Sequence, residues 1–197
     1  DRNILLIDTE NDKELYLQLL APELNKRFKL KEDEWRERIF VKSITKLKDV
    51  FEFFGLDVNL ERNDKTGKVE VVNLGFSKIP DPSDKRKKIE WSEFDEMVKK
   101  KKIGVVVIDS YTMLFKPVFV GGVKNLTGRD DAMALLAATL LEKASMHKLW
   151  VFTTHHERFD PLAEAWEKQE MTGAKAIKHL SKIWYQLERP DFNIPPL

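Results

Sequence analysis

The chain contains no cysteine, which excludes disulfide frameworks, thiolate metal sites and thiol nucleophiles, and fits a reducing compartment. It also lacks an excess of charge. Its 34 Lys and Arg nearly cancel its 33 Asp and Glu, so no global field draws it to nucleic acid or membrane, and any polyanion site must be a local patch. No apolar run approaches the roughly 20 residues that span a bilayer, and no basic region followed by an apolar stretch opens the chain. A cytoplasmic protein without membrane contact is expected. Internal repeats and low-complexity tracts are absent as well.

What is present suits a globular domain. Apolar residues make up 42% of 197 positions, enough to bury a sizeable core in one unit, so one domain over 1–197 is expected. The wealth of Lys and Glu is a composition found in thermophilic proteins.

Continuous apolar runs at Asn3–Asp8 and Gly104–Asp109 have the pattern of strands buried on both faces of a parallel sheet. Further strands are predicted at Ile39–Val41, Leu149–Thr154 and Ile183–Leu187. Helical spacing covers Asn11–Phe28, Ile44–Phe54 with Gly55 behind it, Trp91–Lys102 with Ser92 at its start, and Leu126–His147. Between Asp57 and Gly75 the period falls to two around Asn63-Asp-Lys-Thr-Gly67, which predicts a β-hairpin inserted in the domain. That insertion is expected to lie away from the chemistry and to face a partner. The stretch Lys78–Lys88, with two prolines and a basic run, reads as a solvated surface loop. Strands alternating with helices predict an α/β fold with a mainly parallel sheet.

Two of the apolar strands end in acids, Asp8-Thr-Glu10 and Asp109-Ser110, and a third ends in Thr153-Thr-His-His156. Their carboxyl ends would share one sheet edge, the usual ligand site of an open α/β sheet. A carboxylate there can hold a water of a Mg²⁺ shell, and a second can orient or deprotonate an attacking water. A single Asp ending a strand is more often a turn former or helix cap; three polar ends together favour chemistry.

Leu6-Ile-Asp-Thr-Glu10 resembles the strand that follows the phosphate-loop helix in RecA and RadA recombinases, and Val105-Val-Val-Ile-Asp-Ser110 resembles their Walker B strand. Phe119-Val-Gly-Gly-Val-Lys-Asn-Leu-Thr-Gly-Arg129 is similar to the first DNA-facing loop and helix of archaeal RadA. Trp150–His156 takes the place of the strand ending in a polar sensor, and Glu157–Thr172 that of the second DNA loop. Gly173–Lys178 and Lys182–Glu188 follow as the glycine-led helix and the strand beyond it. The resemblance implies a RecA-like three-layer sandwich of the archaeal recombinase and KaiC-like kind, using ATP and Mg²⁺. It implies Glu10 as the carboxylate that activates water, Asp109 as the second-shell Mg²⁺ holder, Ser110 as its hydroxyl neighbour and His156 as the sensor, where relatives more often carry an amide.

The resemblance further implies self-association into a ring or filament, with ATP between subunits, and single-stranded DNA or a recombinase-type protein as partner in recombination or repair. Lys124, Arg129, Arg158, Lys175 and Lys178 would face DNA. Asp130, Asp131, Glu157, Asp160, Glu164 and Glu167 crowd the same loops and weaken that patch. Trp166 could stack on a base or simply pack a short helix. One departure is large: no Gly-x-x-x-x-Gly-Lys-[Ser/Thr] occurs, and Gly67-Lys68 is followed by Val69, so no phosphate loop is encoded. The domain is expected to be incomplete at its N-terminus and inactive by itself. Two alternatives stay open: a non-catalytic RecA-fold adaptor, and a KaiC-like regulatory ATPase that handles no nucleic acid.

Overall fold

The computed structural model describes residues 2–10, 31–76, 91–120, 125–155, 157–159 and 169–171, with single positions at 18, 22, 26, 27, 29 and 183. Strand β1 (Asn3–Asp8) lies between β2 (Ile39–Ser43) and β5 (Ile103–Asp109), and β6 (Trp150–Thr153) flanks β5. All three pairings are parallel, in the order β2-β1-β5-β6. The protein is therefore α/β with a parallel four-stranded sheet.

The apolar runs of β1 and β5 are explained by this central position. Leu5, Ile7, Val106 and Ile108 are fully buried on one face, where they join a core supplied by α2 (Leu47–Phe54), α3 (Glu93–Lys100) and α4 (Leu126–His147). Phe53, Phe54 and Phe94 hold α2 to α3, with ring centroids 4.8–5.7 Å apart. On the other face, register sets Val105 beside Trp150 and Val107 beside Phe152. There the β6 end is open: Trp150 is 69% and Phe152 54% exposed. A short helix, α1 (Glu32–Arg36), precedes β2 and buries Trp35.

Helix ends follow local chemistry. Gly55, at φ 83°, closes α2 in the left-handed conformation that a side chain resists. Ser92 caps α3, accepting from Asp95 N while Asp95 reaches back to the Ser92 amide. The α2 helix starts at Leu47, not Ile44, because the Ile44 amide donates to Asp8 O and prolongs the sheet ladder beyond β2. The third helix likewise spans Glu93–Lys100 within the Trp91–Lys102 expectation.

Strands β3 (Leu56–Arg62) and β4 (Val69–Phe76) form the antiparallel hairpin expected over 57–75. Asn63 builds its turn, its Oδ1 accepting from the amides of Lys65 and Thr66 at 3.0 and 3.1 Å. The hairpin is no detached appendage. Leu56, Val58 and Val69 are buried in the main core, and Asn125, 1% exposed, accepts from Val69 N at 2.8 Å while its amide group donates to Val120 O. Helix α4 approaches so closely that a Cβ on Gly128 would stand 2.6 Å from Val69 O. Gly128→Ala is therefore expected to push hairpin and helix apart and cost about 1–3 kcal/mol, an overpacking penalty readable by urea denaturation.

The charged segment after β6 contains a second antiparallel pair, β7 (Glu157–Phe159) with β8 (Gln169–Met171), where a loop was expected. The helix expected over 11–28, the loop over 78–88, the glycine-led helix over 173–178, the strand over 183–187 and Trp166 lie outside the described residues, apart from single positions. Among the described residues no helix is long and apolar enough to cross a membrane.

Candidate functional site

The chain leaves β1 towards β2 on one side of the sheet and leaves β5 towards β6 on the other. The carboxyl ends of β1 and β5 thus flank a topological switch point, the place where open α/β sheets generally form a ligand crevice. Both candidate acids stand there. Asp8 and Asp109 are register partners at the last rung of the β1–β5 ladder, so Glu10 follows one strand end and Asp109 forms the other.

Just beyond that rung the two strands are clasped together. Thr9 N donates to Asp109 O at 2.9 Å. The Thr9 hydroxyl donates to Ser110 O and accepts from Ser110 N, both at 2.8 Å. The Asp109–Ser110 peptide bond is cis. Ser110 is 3% exposed, with its hydroxyl 3.4 Å from Thr112 Oγ1. Because this clasp is buried, Thr9→Val would strand an amide and a carbonyl without partners. A loss of about 1–3 kcal/mol in thermal or urea unfolding is expected, whereas Thr9→Ser keeps the hydroxyl and most of the stability.

The three acids occupy different environments. Asp8 is fully buried; its Oδ1 accepts from Glu10 N at 3.0 Å and its Oδ2 from the Ser43 hydroxyl at 3.2 Å. It shapes the turn that carries Glu10, which is exposed. Asp109 is half-buried and its Oδ1 accepts from the Thr154 hydroxyl. Among the described residues Oδ2 meets no donor.

At the end of β6, His155 Nε2 lies 2.7 Å from Thr153 Oγ1 and its ring stacks obliquely on Tyr111, centroids 5.1 Å apart. Its Nδ1 is buried and, among the described residues, has no partner. Burial lowers the His155 pKa to about 4, so the ring is neutral at pH 7. His156, Lys124, Lys175 and Lys178 lie outside the described residues. Arg158 falls within β7. Arg129 sits in the first turn of α4, 3.3 Å from Asp130 Oδ1, so the acid beside it offsets part of its charge.

The structure therefore brings Glu10, Asp109 and Ser110 to one edge. Sequence reasoning missed Thr9, Thr154 and the structural duty of Asp8, whose roles depend on cross-strand register. Among the described residues no group of three His or acidic side chains could ligate a metal directly. A hydrated Mg²⁺ needs only one or two carboxylates, and Asp109 and Glu10 are the residues here that could offer them. Comparison with known protein families and with curated proteins finds no match to this chain.

Proposed function

We propose that the chain is the core of a RecA-like three-layer ATPase, with Glu10 and Asp109 serving one nucleotide site at the β1–β5 crevice. The observation that carries this reading is the placement of two acidic strand ends side by side at a switch point of a parallel sheet. Asp109, with Oδ1 occupied by Thr154, would present its second oxygen to a water of a Mg²⁺ shell. The ion, when bound, supplies charge neutralisation for the phosphates. Glu10 would take a proton from the water that attacks the γ-phosphorus. His156 remains the proposed sensor. The β- and γ-phosphates would be cradled by polypeptide other than these residues, since the sequence encodes no phosphate loop.

Turnover would drive work on single-stranded DNA in recombination or repair, with self-association completing the site and Lys124, Arg129, Arg158, Lys175 and Lys178 facing the strand. Two other readings have an observation behind them. The absent phosphate loop favours a non-catalytic adaptor, which binds a recombinase-type partner and turns nothing over. The pairing of Arg129 with Asp130 favours a KaiC-like regulatory ATPase without nucleic acid. ATP hydrolysis by the product of the complete reading frame, with and without single-stranded DNA, separates them. Stimulated turnover supports the DNA-linked reading, turnover indifferent to DNA supports the regulatory one, and no turnover supports the adaptor.

A further inference from the structure

We propose that Thr154 is a positioning residue for Asp109, fixing which carboxylate oxygen faces the crevice; the inference rests on the Mg²⁺ role proposed for Asp109. Thr154 is tied at three points to β5 and the turn that follows it. Its amide donates to Ile108 O at 3.0 Å, and its carbonyl accepts from Tyr111 N at 2.9 Å. Its hydroxyl donates to Asp109 Oδ1. The two backbone bonds fall on the residue before Asp109 and on the second residue after it, so they straddle the acid and hold the Thr154 Cα beside it. The hydroxyl is delivered by an already immobile backbone, which reduces the entropy that an exposed side-chain bond normally costs.

The consequence is directional. An aspartate at a strand end has a nearly free χ2 rotation, and its two oxygens are chemically equivalent. A single fixed donor on Oδ1 removes that equivalence and leaves Oδ2 as the oxygen facing a hydrated cation. A partner that orients a metal-facing carboxylate in this way typically contributes 10–100-fold to metal affinity. Two neighbouring residues support the arrangement. Tyr111, 1% exposed, donates its hydroxyl to Met133 O in α4, so the residue whose amide donates to the Thr154 carbonyl is anchored in the core. His155, the next residue, bonds back to Thr153, and among the described residues the Thr154 hydroxyl serves Asp109.

Thr154→Val keeps the shape and removes the donor, whereas Thr154→Ser keeps the donor. The test has two readouts on the product of the complete reading frame. The first is the rotamer distribution of Asp109, from side-chain NMR couplings and carboxyl chemical shifts, without nucleotide. The second is the Mg²⁺ concentration that half-saturates ATP turnover. Thr154→Val is expected to average the Asp109 conformation and to raise the half-saturating Mg²⁺ by about 10- to 100-fold, with Thr154→Ser close to the parent in both. An Asp109 that keeps one conformation in Thr154→Val, or one that averages while the Mg²⁺ requirement stays unchanged, overturns the proposal. If the parent shows no turnover, the ATPase reading fails separately. Mn²⁺ binding followed by electron paramagnetic resonance then replaces the second readout: weaker binding in Thr154→Val supports the positioning role, and equal binding overturns it.

Discussion

Asp95→Ala is expected to destabilise the protein by about 3–5 kcal/mol, the usual consequence of removing one partner from a buried ion pair. Asp95 is 2% exposed, set in the first turn of α3 against the last turns of α4. Its Oδ2 accepts from Lys143 Nζ at 2.5 Å and from the Ser92 hydroxyl at 2.7 Å, and its Oδ1 lies 2.7 Å from His147 Nε2. Truncation would leave the Lys143 ammonium, itself mostly enclosed, without its counter-charge, and would also undo the reciprocal cap that starts α3. Urea denaturation measures the loss, and Asp95→Asn, which keeps the volume and some hydrogen bonds, should lose less.

The same cluster sets a pH dependence. Burial pushes the Asp95 carboxyl upward, but the bonds from Lys143, Ser92 and His147 and the Lys143 charge more than offset it, so the net shift is downward from 3.8. A carboxyl whose folded pKa lies below its unfolded one binds fewer protons when folded. Its contribution is therefore present at neutral pH and is lost as pH drops below about 4 and through the folded pKa. In Asp95→Ala the acid limb of the stability profile is expected to flatten accordingly.

Glu10→Gln carries the largest expected effect on activity. The amide matches the carboxylate in shape and cannot accept a proton, and general-base contributions are typically about 10²–10⁴-fold. Turnover should fall by that factor while nucleotide affinity stays near the parent's, because the role proposed for Glu10 concerns the water and not the phosphates. The Glu10 amide is held by Asp8, and Asp8 in turn by Ser43, backbone bonds that the amide variant keeps.

Much of this arrangement could be read in the sequence. The strand at Asn3–Asp8 and the helix at Leu126–His147 have the expected bounds, because a two-face-buried run ending in acid is a strong local signal and Met133, Leu136 and Leu140, all buried, recur at helical spacing. The hairpin was legible from its period and from Asn63, since its turn is made by residues two and three positions apart. What was not legible depends on register and distance. Thr9 meets Ser110 across 101 positions and Thr154 meets Asp109 across 45. Asp95 looks like an ordinary first-turn acid until Lys143 and His147, 48 and 52 positions away, close over it. Likewise, nothing local distinguishes the fully buried Asp8 from the half-buried Asp109, since both end apolar strands.

Steady-state ATP hydrolysis by the product of the complete reading frame, run beside Glu10→Gln with nucleotide binding measured on both, tests the central claim most directly. Mg²⁺-dependent turnover that Glu10→Gln abolishes while still binding ATP is the result expected of two acids serving one site at the β1–β5 crevice. Equal turnover by parent and variant, or no nucleotide binding by either, would contradict it.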